Sequence, residues 1–140
     1  MAARPAATPP ALRPTVPVFA PDDSSLRPAL QAPGVTLVAC LCAQWCGTCR
    51  EYQPKFAALA ERWRSHVFVW IDIEDDPEYA GDDDIENFPT LLVQSPAGVA
   101  FYGPMLPHIG HLEKLLEALA AEPGSLQAAG PNLLALLRQG

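Results

Sequence analysis

Hydrophobic and polar residues follow one another in segments that predict two buried strands with a helix between them. The run 35–43 is apolar except for Thr36, which is typical of a strand buried on both faces. Apolar positions then recur every three or four residues, which indicates one face of a helix over 46–64. A second apolar run, rich in β-branched and aromatic residues, predicts a strand over 66–73. This order forms a βαβ unit, so the two strands should be parallel.

The second half of the chain predicts a β-hairpin followed by an amphipathic helix. Segments 88–94 and 99–102 are mostly apolar and are separated by a short turn at 95–98, so these strands should be antiparallel. The last helix carries leucines on one face, at Leu112, Leu115, Leu116 and Leu119. Together the elements predict an α/β fold, a three-layer sandwich with a central mixed sheet of about four strands and helices on both faces.

Proline content separates the N-terminal part from the rest of the chain. Eight of the sixteen prolines lie before residue 34, and prolines interrupt both helices and sheet ladders. We therefore divide the chain into a flexible proline-rich arm (1–21), one folded domain (22–122) and a C-terminal extension (123–140). Leucines of the extension, within 133–137, predict one or two helical turns that either pack on the domain or contact a partner.

Composition bounds the classes of function. The chain has 140 residues, 49% of them hydrophobic, which suffices for one globular domain with a core. A net charge of −7 argues against a nucleic-acid partner, because phosphate binding needs a basic surface. No apolar block before residue 32 is long enough for a signal peptide, and no segment approaches a membrane span. We expect a cytoplasmic protein with no membrane partner.

Cys46 and Cys49 carry the candidate chemistry, because they lie where the first predicted strand gives way to a helix. The free N–H groups and positive dipole end of a helix N-terminus favour a thiolate at Cys46, which is the form that attacks disulfides. Cys49 lies one turn further along, within reach to close a disulfide or to resolve a mixed one. The pair predicts dithiol chemistry.

Cys40 and Cys42 leave a metal site as an alternative interpretation. They point to one face of their strand, and with Cys46 and Cys49 they could bind zinc or an iron–sulfur cluster. A buried strand gives these two sulfurs little freedom to turn towards an ion, so we expect core packing and no metal. Cys42 is also expected close enough to Cys46 to act as a third thiol.

The order of elements and the residues at their junctions resemble the thioredoxin family over about residues 22–121. The resemblance rests on WCGTCR at 45–50, on Pro54 inside the helix and on FPT at 88–90. It implies a thioredoxin-like fold, a reversible Cys46–Cys49 disulfide and a cis peptide bond before Pro89. It also implies that an extended substrate segment contacts the site through Trp45, Gly47, Thr48, Phe88 and Pro89.

Three positions depart from the family pattern, and one of them is Cys42, which stands where the family has an aromatic residue. Cys40 stands where the family has a buried acid, so proton transfer from Cys49 must use water or another group. Thr48 stands where thioredoxin itself has proline, which frees a backbone N–H to point at the sulfur and should raise the reduction potential.

The resulting hypothesis is an enzyme, a thioredoxin-like thiol–disulfide oxidoreductase that acts on protein disulfides in cell redox homeostasis. Cys46 is its nucleophile and Cys49 its resolving thiol, while a reductase or a small thiol supplies the electrons and no cofactor is bound. The alternative is a thioredoxin-fold binding module with a regulatory or vestigial redox pair, in which the arm or the leucine-rich extension contacts a partner.

Overall fold

The structure, a computed structural model, describes residues 18–43, 46–80, 89–122 and 127–139. Its strands are β1 (Val18–Phe19), β2 (Thr36–Cys42), β3 (His66–Asp72), β4 (Thr90–Ser95) and β5 (Gly98–Pro104). Its helices are α1 (Leu26–Leu30), α2 (Gly47–Arg62), α3 (Ile109–Ala121) and α4 (Leu133–Gln139), with a 3-10 helix over Pro77–Ala80. Within these ranges, no helix is both long and apolar enough to cross a membrane.

The strands form one mixed sheet in the order β1-β3-β2-β4-β5. β2 and β3, which flank α2, are parallel, and β4 and β5 are antiparallel, as the βαβ and hairpin patterns predict. The α/β fold with a central mixed sheet is therefore confirmed. The sheet has five strands in the described ranges where about four were predicted.

The additional strand, β1, lies within the range 1–21 that the sequence assigned to a flexible arm. Val18 and Phe19 pair in parallel with Phe68 and Val69 of β3. A strand of two residues is too short to show the alternation of apolar and polar residues that marks a strand in a sequence. It is a strand because it pairs with β3. The folded domain therefore begins before residue 22.

Helices cover both faces of the sheet, because successive side chains of each strand point to opposite sides. One face packs against α1 and α4, and its buried residues include Leu37, Val69, Leu30 and Leu133. The other packs against α2 and α3, and its buried residues include Val38, Phe68, Phe56, Leu59 and Leu112. The second face also holds the cysteines that the sequence singles out.

The C-terminal extension packs on the domain through α4. Leu133 and Leu137 are buried, whereas Leu136 on the outer side is 39% exposed. The side chain of Gln94 in β4 accepts a hydrogen bond from the Leu134 amide (3.0 Å) and donates one to Asn132 Oδ1 (2.7 Å). Asn132 in turn accepts a hydrogen bond from the amide of Ala135 (3.1 Å), which caps the start of the helix.

Candidate active site

Cys46 lies directly before α2, four residues after the end of β2. It has an extended backbone (φ −83°, ψ 120°) and is the N-cap of α2. Its amide donates to the carbonyl of Ala43 (3.0 Å), and its carbonyl accepts from the amide of Arg50 (3.2 Å). The side chain is partly exposed and forms no disulfide. Its sulfur therefore lies at the helix terminus, where backbone N–H groups are unpaired and a partner can approach.

Cys49 lies one turn further along α2 with its side chain fully buried. The expected disulfide joins it to Cys46, but in the structure its partner is Cys42, and their Cα atoms are 5.9 Å apart. The separation lies in the usual range for a disulfide. Cys42 reaches Cys49 because it is the last residue of β2 and faces the first turn of α2. The structure therefore pairs Cys49 with Cys42 where the resemblance implies Cys46.

Cys40 lies beside this bond, on the same face of β2, as the alternation predicts. Its sulfur is 3.8 Å from that of Cys42. Burial raises the pKa of the Cys40 thiol well above its ordinary value, so the group stays protonated at neutral pH. Burial also raises the pKa of Tyr52, whose hydroxyl has no hydrogen-bond partner within the described part of the chain. Neither group is suited to accept a proton from Cys49.

The structure describes three of the five residues predicted to contact a substrate. Gly47 and Thr48 are exposed in the first turn of α2, beside Cys46. Pro89 is buried directly before β4. Because Leu41 pairs with Thr90 in an antiparallel ladder, one further step along that ladder brings Pro89 opposite Cys42, at the same end of the sheet as Cys46. Trp45 and Phe88 lie outside the described residues.

Asp72 is a carboxylate near the sulfurs that the sequence analysis did not identify. It pairs with Cys42 across the parallel ladder, at the ends of β3 and β2. A crevice of about 200 Å³ is lined by Ala43, Cys49, Arg50, Gln53, Trp70 and Asp72. The alternation of β3 was the available signal, because Asp72 falls on the face of Phe68 and Trp70. A carboxylate and the buried Cys49 therefore share one small cavity.

Leu106 is a second residue that sequence analysis missed. It is 64% exposed, which is unusual for a large aliphatic side chain. The neighbouring Met105 donates its amide to the carbonyl of Pro89 (3.1 Å), so the loop after β5 lies against the proline. Leu106 thus presents apolar surface close to the candidate site. Within the described ranges, no three His, Cys, Asp or Glu side chains form a group that could hold a metal ion.

Three comparisons place the chain among known proteins. The Thioredoxin family model matches residues 18–120. Putative thioredoxin H10 of Arabidopsis thaliana is 36% identical over 59 residues, which are 42% of this chain and 38% of that protein. Thioredoxin of Equus caballus is 32% identical over 69 residues, which are 49% of this chain and 66% of that protein. The chain thus matches less than two thirds of the length of these relatives.

A solved structure supports the same assignment. A chain in the crystal structure of a complex of ferredoxin:thioredoxin reductase with thioredoxin f2 superposes with a TM-score of 0.62 at 26% identity. The superposition covers 76% of this chain and 98% of that one. The family match agrees with the order of strands in the sheet and with the position of the cysteines at the start of α2. The chain belongs to the thioredoxin family.

Proposed function

We propose that this chain is a thiol–disulfide oxidoreductase that reduces or exchanges disulfides in proteins. The observation that carries the proposal is the position of Cys46, partly exposed at the N-terminus of α2 with Cys49 buried one turn behind it. An outer sulfur can attack a partner, and an inner sulfur can complete the reaction without access to solvent. Membership of the thioredoxin family supports this activity.

In the first step, the Cys46 thiolate attacks one sulfur of a substrate disulfide. A Cys46–substrate bond forms, the substrate S–S bond breaks, and the other substrate sulfur leaves as a thiolate. The exposed Gly47 and Thr48 leave room for an approaching chain. Leu106 and the Pro89 loop offer apolar contact next to it, and Trp45 and Phe88 are proposed to complete the surface.

In the second step, Cys49 attacks the sulfur of Cys46 and releases the reduced substrate. Cys49 must first be free of Cys42, and it must lose its proton to become a nucleophile. Cys40 cannot accept that proton, because it retains its own. We assign the role to Asp72, acting through water in the crevice that it shares with Cys49. The product is the oxidised Cys46–Cys49 pair.

Two electrons from a reductase or a small thiol then restore the dithiol. A thioredoxin with this fold, thioredoxin f2, is found in complex with a ferredoxin:thioredoxin reductase, which supports a reductase as the partner class. Sulfur carries both electrons throughout the cycle, so the scheme involves no bound cofactor. The proposal also includes two further points: the protein acts in the cytoplasm, and the peptide bond before Pro89 is cis.

Insulin reduction, followed by turbidity as the freed B chain precipitates, tests the function. Wild-type protein is compared with Cys46→Ser and with Cys40→Ser as a matched control, since both remove one thiol from the same cluster. We expect Cys46→Ser to lower the rate by roughly 100-fold or more, because the nucleophile is lost, and Cys40→Ser to change it by less than about 3-fold. Equal rates for wild type and Cys46→Ser would contradict the proposal.

The Cys42–Cys49 bond also favours a second candidate, a binding module with a regulatory redox pair, because in this state Cys49 is not available to resolve a mixed disulfide. This candidate predicts no insulin reduction by any variant. It further predicts a stable partner complex that survives the Cys46→Ser change, whereas a mixed disulfide would not form at all in that variant.

A further inference from the structure

We propose that Cys42 is a third redox thiol. It replaces the Cys46–Cys49 disulfide near the surface with a buried Cys42–Cys49 disulfide, and Cys46 becomes a free thiol again. The inference rests on the proposed function, since it needs Cys46 and Cys49 to form the first disulfide. Its own support is the bond between Cys42 and Cys49, with Cys46 left as a partly exposed free thiol.

Cys49 is the sulfur that two partners share. Cys46 lies three residues before it, and helical spacing makes such residues neighbours. Cys42 lies on the strand beneath, with its Cα 5.9 Å from that of Cys49, a separation that a disulfide spans readily. Cys49 can therefore bond outward to Cys46 or inward to Cys42 while the elements that carry the three residues stay in place.

The transfer is an internal thiol–disulfide exchange. The Cys42 thiolate attacks the sulfur of Cys49, the Cys42–Cys49 bond forms, the Cys46–Cys49 bond breaks, and Cys46 leaves as a thiolate. The chain is neither oxidised nor reduced overall, because one disulfide replaces another. The proton of Cys42 passes to water in the crevice beside Cys49 and Asp72. The released Cys46 thiolate can take up a proton from solvent.

Cys40 positions the attacking sulfur. Its sulfur is 3.8 Å from that of Cys42, and because Cys42 carries no proton while it is disulfide-bonded, Cys40 is the donor of the pair. An S–H donor stabilises a thiolate at Cys42 more than a neutral thiol, which favours the exchange. Cys40 therefore acts through Cys42 and does not itself exchange disulfides.

Burial gives the inner disulfide different properties from the outer one. Cys42 and Cys49 are both 0% exposed, so an external thiol cannot reach their sulfurs in the folded chain. Only Cys46, at the surface, can attack Cys49 and return the disulfide to the outer position. While the inner bond persists, Cys46 is a single thiol with no resolving partner. It then attacks the S–S bond of a small disulfide such as oxidised glutathione, which forms a Cys46–glutathione disulfide and releases one reduced glutathione, and no thiol resolves this mixed disulfide.

Disulfide mapping distinguishes the two oxidised forms. Fully reduced wild-type protein is oxidised with one equivalent of diamide, quenched with acid, treated with N-ethylmaleimide, and cleaved after Trp45 with chymotrypsin and after Arg50 with trypsin. The proposal predicts peptide 46–50 linked to the peptide that contains Cys42, with maleimide on Cys46. Peptide 46–50 found only with an internal Cys46–Cys49 bond, and maleimide on Cys42, would overturn it.

Glutathione uptake gives a second measurement, with Cys42→Ala and Cys40→Ala. After oxidation, wild type should take up one glutathione at Cys46 from oxidised glutathione, and Cys42→Ala should take up none. Cys40→Ala should take up glutathione more slowly than wild type, because the internal exchange lacks the S–H donor beside Cys42. Equal uptake by wild type and Cys42→Ala would overturn the relay. If Cys42→Ala does not fold, the disulfide mapping of wild-type protein by itself tests the relay.

Insulin reduction in the same samples separates this inference from the function on which it rests. Turnover by wild type together with an exclusively Cys46–Cys49 bond contradicts the relay and leaves the oxidoreductase intact. If the wild type does not reduce insulin and reduced protein forms no glutathione adduct at Cys46, both the relay and the oxidoreductase function are contradicted.

Discussion

Cys46 and Cys49 lie one turn apart at the start of α2, yet only Cys46 has a partly exposed side chain, while that of Cys49 is fully buried. The side chain of Cys46 is accessible to a substrate disulfide and that of Cys49 is not. The proposed mechanism therefore gives first attack and resolution to different sulfurs.

Replacing Cys49 with serine should trap the substrate on Cys46. The mixed disulfide forms normally, but no thiol in the first turn of α2 attacks it, so the covalent complex accumulates. Non-reducing gel electrophoresis after incubation with a disulfide-containing protein should show a new band that dithiothreitol removes. The double variant Cys46→Ser, Cys49→Ser is the control and should show none. A band of equal intensity in the double variant contradicts the assignment.

Asp72→Asn should slow resolution without slowing the first attack. Loss of the carboxylate in the crevice beside Cys49 removes the proton acceptor, and loss of a general base lowers a rate by roughly 10- to 100-fold where water can substitute. Rapid-quench measurement should show an unchanged release of the first substrate thiol and a delayed second. Raising the pH should restore the second step.

Asp75→Asn provides the control for that experiment, because Asp75 is an exposed carboxylate just beyond the end of β3. The substitution removes one negative charge, as Asp72→Asn does, but Asp75 does not line the crevice. Equal slowing of both variants would assign the effect to net charge alone.

The secondary structure of this chain could be read from its sequence because each main element has a pattern of its own. The helix expected over 46–64 is α2 (Gly47–Arg62), and the strand expected over 66–73 is β3 (His66–Asp72). Their ends differ from expectation by one or two residues, which is the usual uncertainty at helix and strand termini. The cysteine spacing indicated the candidate site for the same reason, since it is a local feature.

Contacts between distant elements could not be read in this way. Cys42 and Cys49 are seven residues apart, and nothing local favours that pair over Cys46 and Cys49. Their meeting depends on how the end of β2 lies beneath α2. Asp72 enters the site only because β3 is the parallel neighbour of β2. Similarly, Val18–Phe19 is a strand through its pairing with β3.

The buried leucines of α4 should contribute strongly to stability. Leu133→Ala should lower the free energy of unfolding by about 2–4 kcal/mol, because the side chain is fully buried against the sheet face that α1 also covers. Leu136→Ala is the matched control on the same helix, and it should cost less than about 1 kcal/mol, since Leu136 is 39% exposed. Urea unfolding measures both. Similar losses for the two variants would show that α4 does not pack as described.

His66 should make stability fall in mild acid. Its ring is half-buried against Trp63, with ring centroids 5.1 Å apart, and burial lowers its pKa below the ordinary value of 6.5. The folded state thus favours neutral His66. This contribution is complete above the unfolded-state pKa and is lost as the pH falls through the lower pKa of the folded state.

The corresponding measurement is urea unfolding from about pH 7 to about pH 5, where histidine titrates. Wild type should lose more stability over this range than His66→Gln does. His111→Gln, which changes an exposed histidine of α3, should behave as wild type. If His66→Gln shows the same slope as wild type, His66 does not contribute to the acid dependence.

The reactivity of Cys46 in the reduced, folded protein is the most direct test of the account. A limiting amount of iodoacetamide is added at neutral pH, and peptide mass spectrometry follows each of the four cysteines. We expect alkylation at Cys46 to be at least about 10-fold faster than at Cys40, Cys42 or Cys49, because it alone among them has a partly exposed side chain at a helix N-terminus. Cys46 left unmodified while any of the three buried thiols reacts would contradict the account.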